Sequence, residues 1–272
     1  MKEKKSFWTR PLILESGAVI EEPRSRAPFI WTLVLLAALL SVKVTGFDLK
    51  VLAERGSQFF VILGQMFPPK TAYMGQIWGP LLDTIKMSLL GSAIGAVAVV
   101  PFAIIAASNI VKNRVVLSLV RIFLSIVRTL PTLVTALIAT YMFGLGTLAG
   151  TVAIAVFTFA YVGKQLYEQI ETADMGPYEA AEALGAGKAA SFFTSIAPQV
   201  IPAYLATCLF CFEGNVRYAS ILGYVGAGGL GIILNEKIGW REYSSVGMIL
   251  VSLFVTVVLI ECVSHYLRTK LT

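Results

Sequence analysis

The chain is 272 residues long, 57% hydrophobic and 14% charged, with a formal net charge of +6. A soluble domain carries about 45–50% apolar and about 25% charged residues, so this composition excludes an ordinary water-soluble globule and points to lipid as the solvent. The basic balance does not call for nucleic acid, because a spanning protein with Lys- and Arg-rich cytoplasmic loops reaches it without that partner.

The first 27 residues form a basic tail with Lys2, Lys4, Lys5, Arg10, Arg24 and Arg26, followed by an apolar run from Pro28 to Val42. That layout also fits a signal peptide. The tail is too long, however, and no small-residue cleavage site follows, so the run reads as an uncleaved first span. A hydrocarbon core of about 30 Å needs about 20 helical residues, and six spans are predicted at 28–47, 80–108, 117–144, 146–167, 197–222 and 244–265. The runs are continuously apolar rather than alternating, which predicts an all-α integral membrane protein and not a barrel.

With both termini cytoplasmic, fourteen of the 22 Lys and Arg fall inside, seven outside and Arg217 within a span, as the positive-inside rule demands. Between the first two spans, residues 48–79 carry Leu49, Leu52, Phe59, Phe60, Leu63, Met66 and Phe67 at helical spacing after Asp48, a predicted cap. This reads as an amphipathic helix on the outer surface. Arg114, Arg121 and Arg128, with Ser118 and Ser125 between them, make a polar stripe on the start of span three. It anchors orientation or touches an anion, and Pro131 is expected to kink the helix beyond it.

The connection at 171–196 is the most informative. Tyr178-Glu179-Ala180-Ala181-Glu182-Ala183-Leu184 forms helix, and Gly185 then weakens it and lets the chain turn. A short helix lying along the membrane can sit in another protein's groove. Glu179-Ala180-Ala181, then Gly185, then Pro198 resembles the EAA loop of bacterial ABC importer permeases. The resemblance implies that Glu179, Ala180, Ala181 and Gly185 belong to a coupling helix that docks on an ATP-binding cassette subunit. The family carries Ile and Leu just before the proline, where this chain has Ser195 and Ala197.

A second stretch, from Phe212-Glu213-Gly214-Asn215-Val216-Arg217 to Gly226-Ala227-Gly228-Gly229-Leu230-Gly231, is similar to the phosphonate permease subunits of that superfamily. With Arg128-Thr129-Leu130-Pro131, the resemblance extends over about residues 80–267. It implies a homodimer, an ATPase dimer that binds ATP and Mg, no cofactor on this chain, and an external protein delivering a phosphorus oxyanion.

Gly226 to Gly231 also satisfies G-x-G-x-x-G, but it follows a spanning helix rather than a strand, and Glu242 is too near for the ribose-binding acid, so a dinucleotide site is rejected. The glycines let irregular backbone pack closely, and the amides of Gly226, Gly228 and Gly229 are candidates to face an anion. Glu213 and Arg217, four apart with Asn215 between them, are either a structural pair or part of a substrate path with Arg128. Cys208, Cys211 and Cys262 lie in apolar stretches and read as small hydrophobes, and His265 reads as an interfacial residue; no metal site or catalytic constellation follows. The competing class is a self-sufficient secondary transporter coupling ions through Glu213 and Arg217, for which a docking loop has no evident use.

Overall fold

The structure, a computed structural model, describes residues 9–13, 19–23 and 26–271. Lys2, Lys4, Lys5 and Arg24 of the basic tail lie outside the described residues. The chain divides into two units, residues 1–61 and 62–272.

In the first unit, β1 (Thr9–Ile13) and β2 (Val19–Pro23) form an antiparallel hairpin in which Thr9 faces Pro23 and Ile13 faces Val19. This hairpin adds regular structure to a tail that its composition marks only as basic. The intervening Ser16-Gly17, between two short runs containing Ile, was the available signal. Helix α1 (Ala27–Val44) follows, with Pro28 in the first turn, where its missing N–H removes no helical bond. Helix α2 (Leu49–Gln65) crosses from one unit to the other and begins as expected: Asp48 Oδ1 accepts from Lys50 N at 2.8 Å.

The second unit is helical throughout its regular structure. It contains α3 (Met74–Ala106), α4 (Arg114–Thr129), α5 (Thr132–Phe143), α6 (Thr147–Thr172), α7 (Gly176–Ala183), α8 (Lys188–Ser191), α9 (Ala197–Leu222), α10 (Leu230–Gly239) and α11 (Tyr243–Leu271). Helix α3 starts earlier than the expected 80, because Pro80 is accommodated inside the helix. Among the described residues, five helical stretches are long and apolar enough to cross a membrane: Ala27–Val44, Thr71–Ala106, Thr147–Thr172, Lys188–Val225 and Tyr243–Leu271.

The expected third span, 117–144, is not one helix. α4 and α5 meet at 86° across Leu130 and Pro131, both extended, with ψ of 120° and 136°. A residue before proline is pushed out of the helical region, and proline has no N–H with which to restart the ladder, so two extended residues in succession turn a kink into a break. α4 starts cleanly, with Asn113 Oδ1 accepting from Val115 N at 3.0 Å.

α6 is the central helix, packed by α3, α4, α5 and α9. In lipid, helix association rests on close van der Waals fit and interhelical hydrogen bonds rather than on water release. Accordingly α3 presents Gly91 and Gly95 to α6; a Cβ on Gly95 would sit 2.4 Å from Ala155 O. One turn away, Asn215 of α9 is 1% exposed. Its amide donates to Ser92 Oγ of α3 at 2.8 Å and to Thr158 Oγ1 of α6 at 2.9 Å. Three helices are thereby tied at one point, and each such bond is worth about 0.6 to 2 kcal/mol in a bilayer.

Candidate functional site

Two features stand out, a loop that is pinned on one side and bare on the other, and a charged pair on α9.

Helix α7 is short, and it ends because Gly185 takes φ of +93°, a region that L-residues avoid. Ala186 N donates to Ala181 O at 3.0 Å and Gly185 N to Glu182 O at 2.9 Å, the paired bonds of a Schellman cap. At the other end Asp174 Oδ1 accepts from Gly176 N at 2.9 Å. Gln199 of α9 accepts from Asp174 N at 3.0 Å and donates to Asp174 O at 3.1 Å.

The inner side of the loop is anchored. Tyr178 is buried with Phe192, Ile196 and Val200 against Leu166 and Ile170 of α6, Ala103 of α3 and Ala107 just beyond it. Burial pushes the Tyr178 hydroxyl above its ordinary pKa, and its hydrogen bond to Glu182 acts in the same direction. Ser195, a departure from the family pattern, donates its hydroxyl to Pro177 O at 3.1 Å and so ties the end of the loop to α7. The backbone over Phe192–Ile196 is widened to π geometry, and Ala197 N reaches Phe192 O just ahead of Pro198. Glu179, Ala180 and Gly185 are exposed, Ala181 is half-buried, and Leu184 is 90% exposed.

Beside the loop, α4 is clamped to the same base. Glu171 of α6 accepts from Ser108 N at 2.8 Å, from the Ser108 hydroxyl and from Arg121, whose Nε also donates to Ala106 O at 2.9 Å. This gives the middle arginine of the stripe a structural role. Nothing in the sequence ties Arg121 to Glu171, because they meet only through packing of α4 on α6.

Glu213 is 4% exposed, and its Oε1 accepts from Arg217 Nη2, as the helical spacing predicts. Its Oε2 lies 3.6 Å from Arg268 Nη2 on α11, a partner that no local pattern reveals. Arg217 remains 52% exposed and lines a cavity of about 440 Å³ with Phe157, Tyr161, Phe210, Tyr218 and Ile221. The structure does not gather the other expected path residues there. Asn215 points into the helix junction described above, and Arg128 lines a separate cavity with Ser125, Lys164 and Tyr167. Gly226, Gly228 and Gly229 have positive φ and are closely packed, Gly226 under the Leu145 side chain, Gly228 against the main chain of Gly146 and Thr147, and Gly229 against the side chains of Thr84 and Met87. Gly226 O accepts from Gly146 N at 2.9 Å, and a Cβ on Gly228 would meet Thr147 N at 2.7 Å. The loop is closed onto α3 by Leu230 N, which donates to Thr84 Oγ1 at 2.7 Å.

The profile described as "Binding-protein-dependent transport system inner membrane component" matches residues 99–271, from the last turns of α3 to the end of α11. The chain belongs to this family. Its relatives in the family include the "Phosphate-import permease protein PhnE" of Mycolicibacterium smegmatis, 33% identical over 211 residues. That alignment covers 77% of this chain and 40% of the relative. Another is the "Phosphite transport system permease protein PtxC" of Stutzerimonas stutzeri, 32% identical over 207 residues, 76% of this chain and 75% of the relative. The chain thus spans less than half of the first relative's length and three quarters of the second's.

Among solved structures, the inward-facing MetNI methionine ABC transporter aligns with a TM-score of 0.67 at 22% identity, over 75% of this chain and 99% of that one. The fold is therefore that of an ABC importer permease. As an inner membrane component with several apolar spanning helices, the chain is a multi-pass membrane protein. The matched region contains the whole 171–196 loop as well as Glu213, Arg217 and Arg268.

Proposed function

We propose that this chain is the membrane-spanning subunit of an ATP-driven importer whose cargo is a phosphonate, phosphite or related phosphorus oxyanion. The observation that carries the reading is the α7–α8 loop. It is a helix rooted by Tyr178, Phe192 and Ile196 in α3, α6 and α9, and it leaves Glu179, Ala180 and a 90% exposed Leu184 uncovered. A bare apolar tip on a rigid root fits a groove on a partner, and a push on it is transmitted to three spanning helices at once. The names of the phosphate and phosphite relatives support the cargo class.

ATP, with its Mg, is hydrolysed on a separate dimer of ATP-binding cassette subunits, and this chain supplies no catalytic residue. Two copies of the chain face each other in the bilayer, and an extracytoplasmic binding protein delivers the cargo. Both termini and the α7–α8 loop lie in the cytoplasm, and α10 and the 48–79 segment lie outside, in line with the fourteen-to-seven distribution of Lys and Arg.

The test is ATP hydrolysis by the reconstituted complex of permease, ATPase and binding protein as phosphonates, phosphite and phosphate are added in turn. Hydrolysis rises with the true cargo. Gly185→Pro, which cannot adopt φ of +93° and loses the Gly185 N–H, leaves the spans inserted but removes the stimulation. A Gly185→Pro complex that binds its ATPase and transports at the normal rate would overturn the docking role.

A further inference from the structure

A guanidinium among apolar helices has to be paired, hydrated or given to a ligand, because removing it from water is costly. Arg217 is only partly provided for. One Nη2 donates to Glu213 within the same helix, yet the side chain stays 52% exposed in its cavity. Glu213 does not serve Arg217 alone, since its second oxygen lies 3.6 Å from Arg268. One buried carboxylate is divided between two guanidiniums, so Arg217 keeps a share of its positive charge.

The surroundings of that charge are built for a small ligand. Phe157 stacks on Tyr161 with ring centres 5.9 Å apart, and Tyr218 meets Phe157 edge-on at 6.0 Å, so three rings wall the cavity around Arg217. Such walls lower the local dielectric and strengthen any ion contact inside. A second cavity of about 250 Å³ is lined by Arg268, Gln165 and Thr207 and shares Tyr161 and Phe210 with the first. On the opposite side of α9, the bonds from Asn215 to Ser92 and Thr158 hold the helix against rotation, which keeps Arg217 aimed away from the core.

We infer that the Arg217 cavity is an intramembrane binding site for a tetrahedral phosphorus oxyanion, gripped by Arg217, with Arg268 as a positioning residue that holds Glu213 partly away from it. The guanidinium fork offers two parallel N–H donors to two oxygens of such an anion, which the point charge of a lysine does not. Glu213 then acts as the built-in competitor. While Arg268 of α11 shares the carboxylate, Arg217 is available to the anion; when α9 and α11 separate, the whole carboxylate turns to Arg217 and displaces it. This inference rests on the importer reading, because it places the site along the route of the cargo.

The experiment measures binding of radiolabelled orthophosphate, displaced by methylphosphonate, to the permease–ATPase complex without binding protein, in phosphatidylcholine nanodiscs. Wild type binds saturably. Arg217→Lys weakens binding roughly tenfold or more, through loss of the fork. Glu213→Gln tightens it several-fold by removing the competitor, and Arg268→Gln weakens it although Arg268 touches no ligand. A merely structural salt bridge moves all three variants the same way, toward less assembled complex. Gly214→Leu serves as the cavity-filling variant: Gly214 also lines the cavity, a Cβ there meets nothing closer than the Tyr218 ring at 4.0 Å, and the change leaves both members of the ion pair in place.

A second arm in nanodiscs containing phosphatidylglycerol separates the two sources of the anion. A site for free solute keeps its orthophosphate binding there. A site for a lipid headgroup loses it and copurifies with phosphatidylglycerol only while Arg217 is present. Equal orthophosphate and lipid binding by wild type, Arg217→Lys and Gly214→Leu would overturn the site. If that happens while ATP hydrolysis still answers to the loaded binding protein, the importer reading stands; if the permease holds no ATPase, that reading fails, and binding to the permease alone still decides the site.

Discussion

Two helices of this chain end in the same cap and solve it with different residues. α7 ends at Gly185 with φ of +93°, and α10 ends at Arg241 with φ of +57°. In each case the next residue, Ala186 or Glu242, donates to a carbonyl five residues back at 3.0 Å. A short way before α10, Gly223 offers a third situation: its φ is an ordinary −60°, but a Cβ on it would sit 2.1 Å from Gly231 C. Gly185 has nothing within 4 Å of its missing Cβ. One glycine is therefore required for its dihedral angle and the other for its lack of volume. The turn after α7 is shaped by local conformation and left open, whereas the loop after α9 is shaped by backbones pressed together.

The largest effect expected from this contrast is Gly223→Ala. The added methyl meets main chain, which cannot rotate aside, so overpacking costs at least about 1–3 kcal/mol. The thermal unfolding midpoint of the detergent-purified chain reads it, and Gly185→Ala is the control. That change places an L-residue in the left-handed region for about 1–2 kcal/mol and disturbs no neighbour. If both variants melt alike, the distinction between angle and volume is wrong.

The same argument in reverse predicts a gain of about 1 kcal/mol from Arg241→Gly, because glycine relieves the strained backbone of the α10 cap. A loss of stability there would mean that the arginine side chain holds more than the cap. The smallest expected effect is electrostatic. Lys237 lies 3.2 Å from Glu242, and the hydrogen bond between them holds Glu242 below the usual carboxylate range and lifts Lys237 above its own. The contribution of Glu242 is therefore present above the ordinary carboxylate pKa and fades as pH falls through the lowered one. That of Lys237 fades only as pH rises through its raised value. Glu242→Gln should flatten the acid side of the melting curve slightly, and an unchanged acid slope would show that the pair contributes nothing.

Several parts of the site were legible because their causes are local. The Glu179-Ala180-Ala181 to Gly185 spacing identified a helix with a glycine stop, and the cap has that form because only a residue tolerant of positive φ can close it. The four-residue spacing of Glu213 and Arg217 identified their pairing for the same kind of reason. Pro131 announced an interruption but not its size. A kinked span and a break of 86° carry the same residues, and the packing of Ala136, Ala139 and Thr140 of α5 beside α6 selects the break. The contact of Arg268 with Glu213 has no local signature, because it depends on where α11 crosses α9.

By itself the sequence determined the solvent, the helical class, most of the spans and the short helix with its glycine stop at 176–185, since hydropathy, propensity and cap chemistry act over a few residues. Only the tertiary structure decided which side of α9 each polar residue serves. Asn215 turns into the three-helix junction, Arg217 faces an aromatic cavity and Glu213 is shared with α11, although the three lie within five consecutive positions. On a helix, neighbours in sequence point in different directions, and what they meet is set by segments far away along the chain.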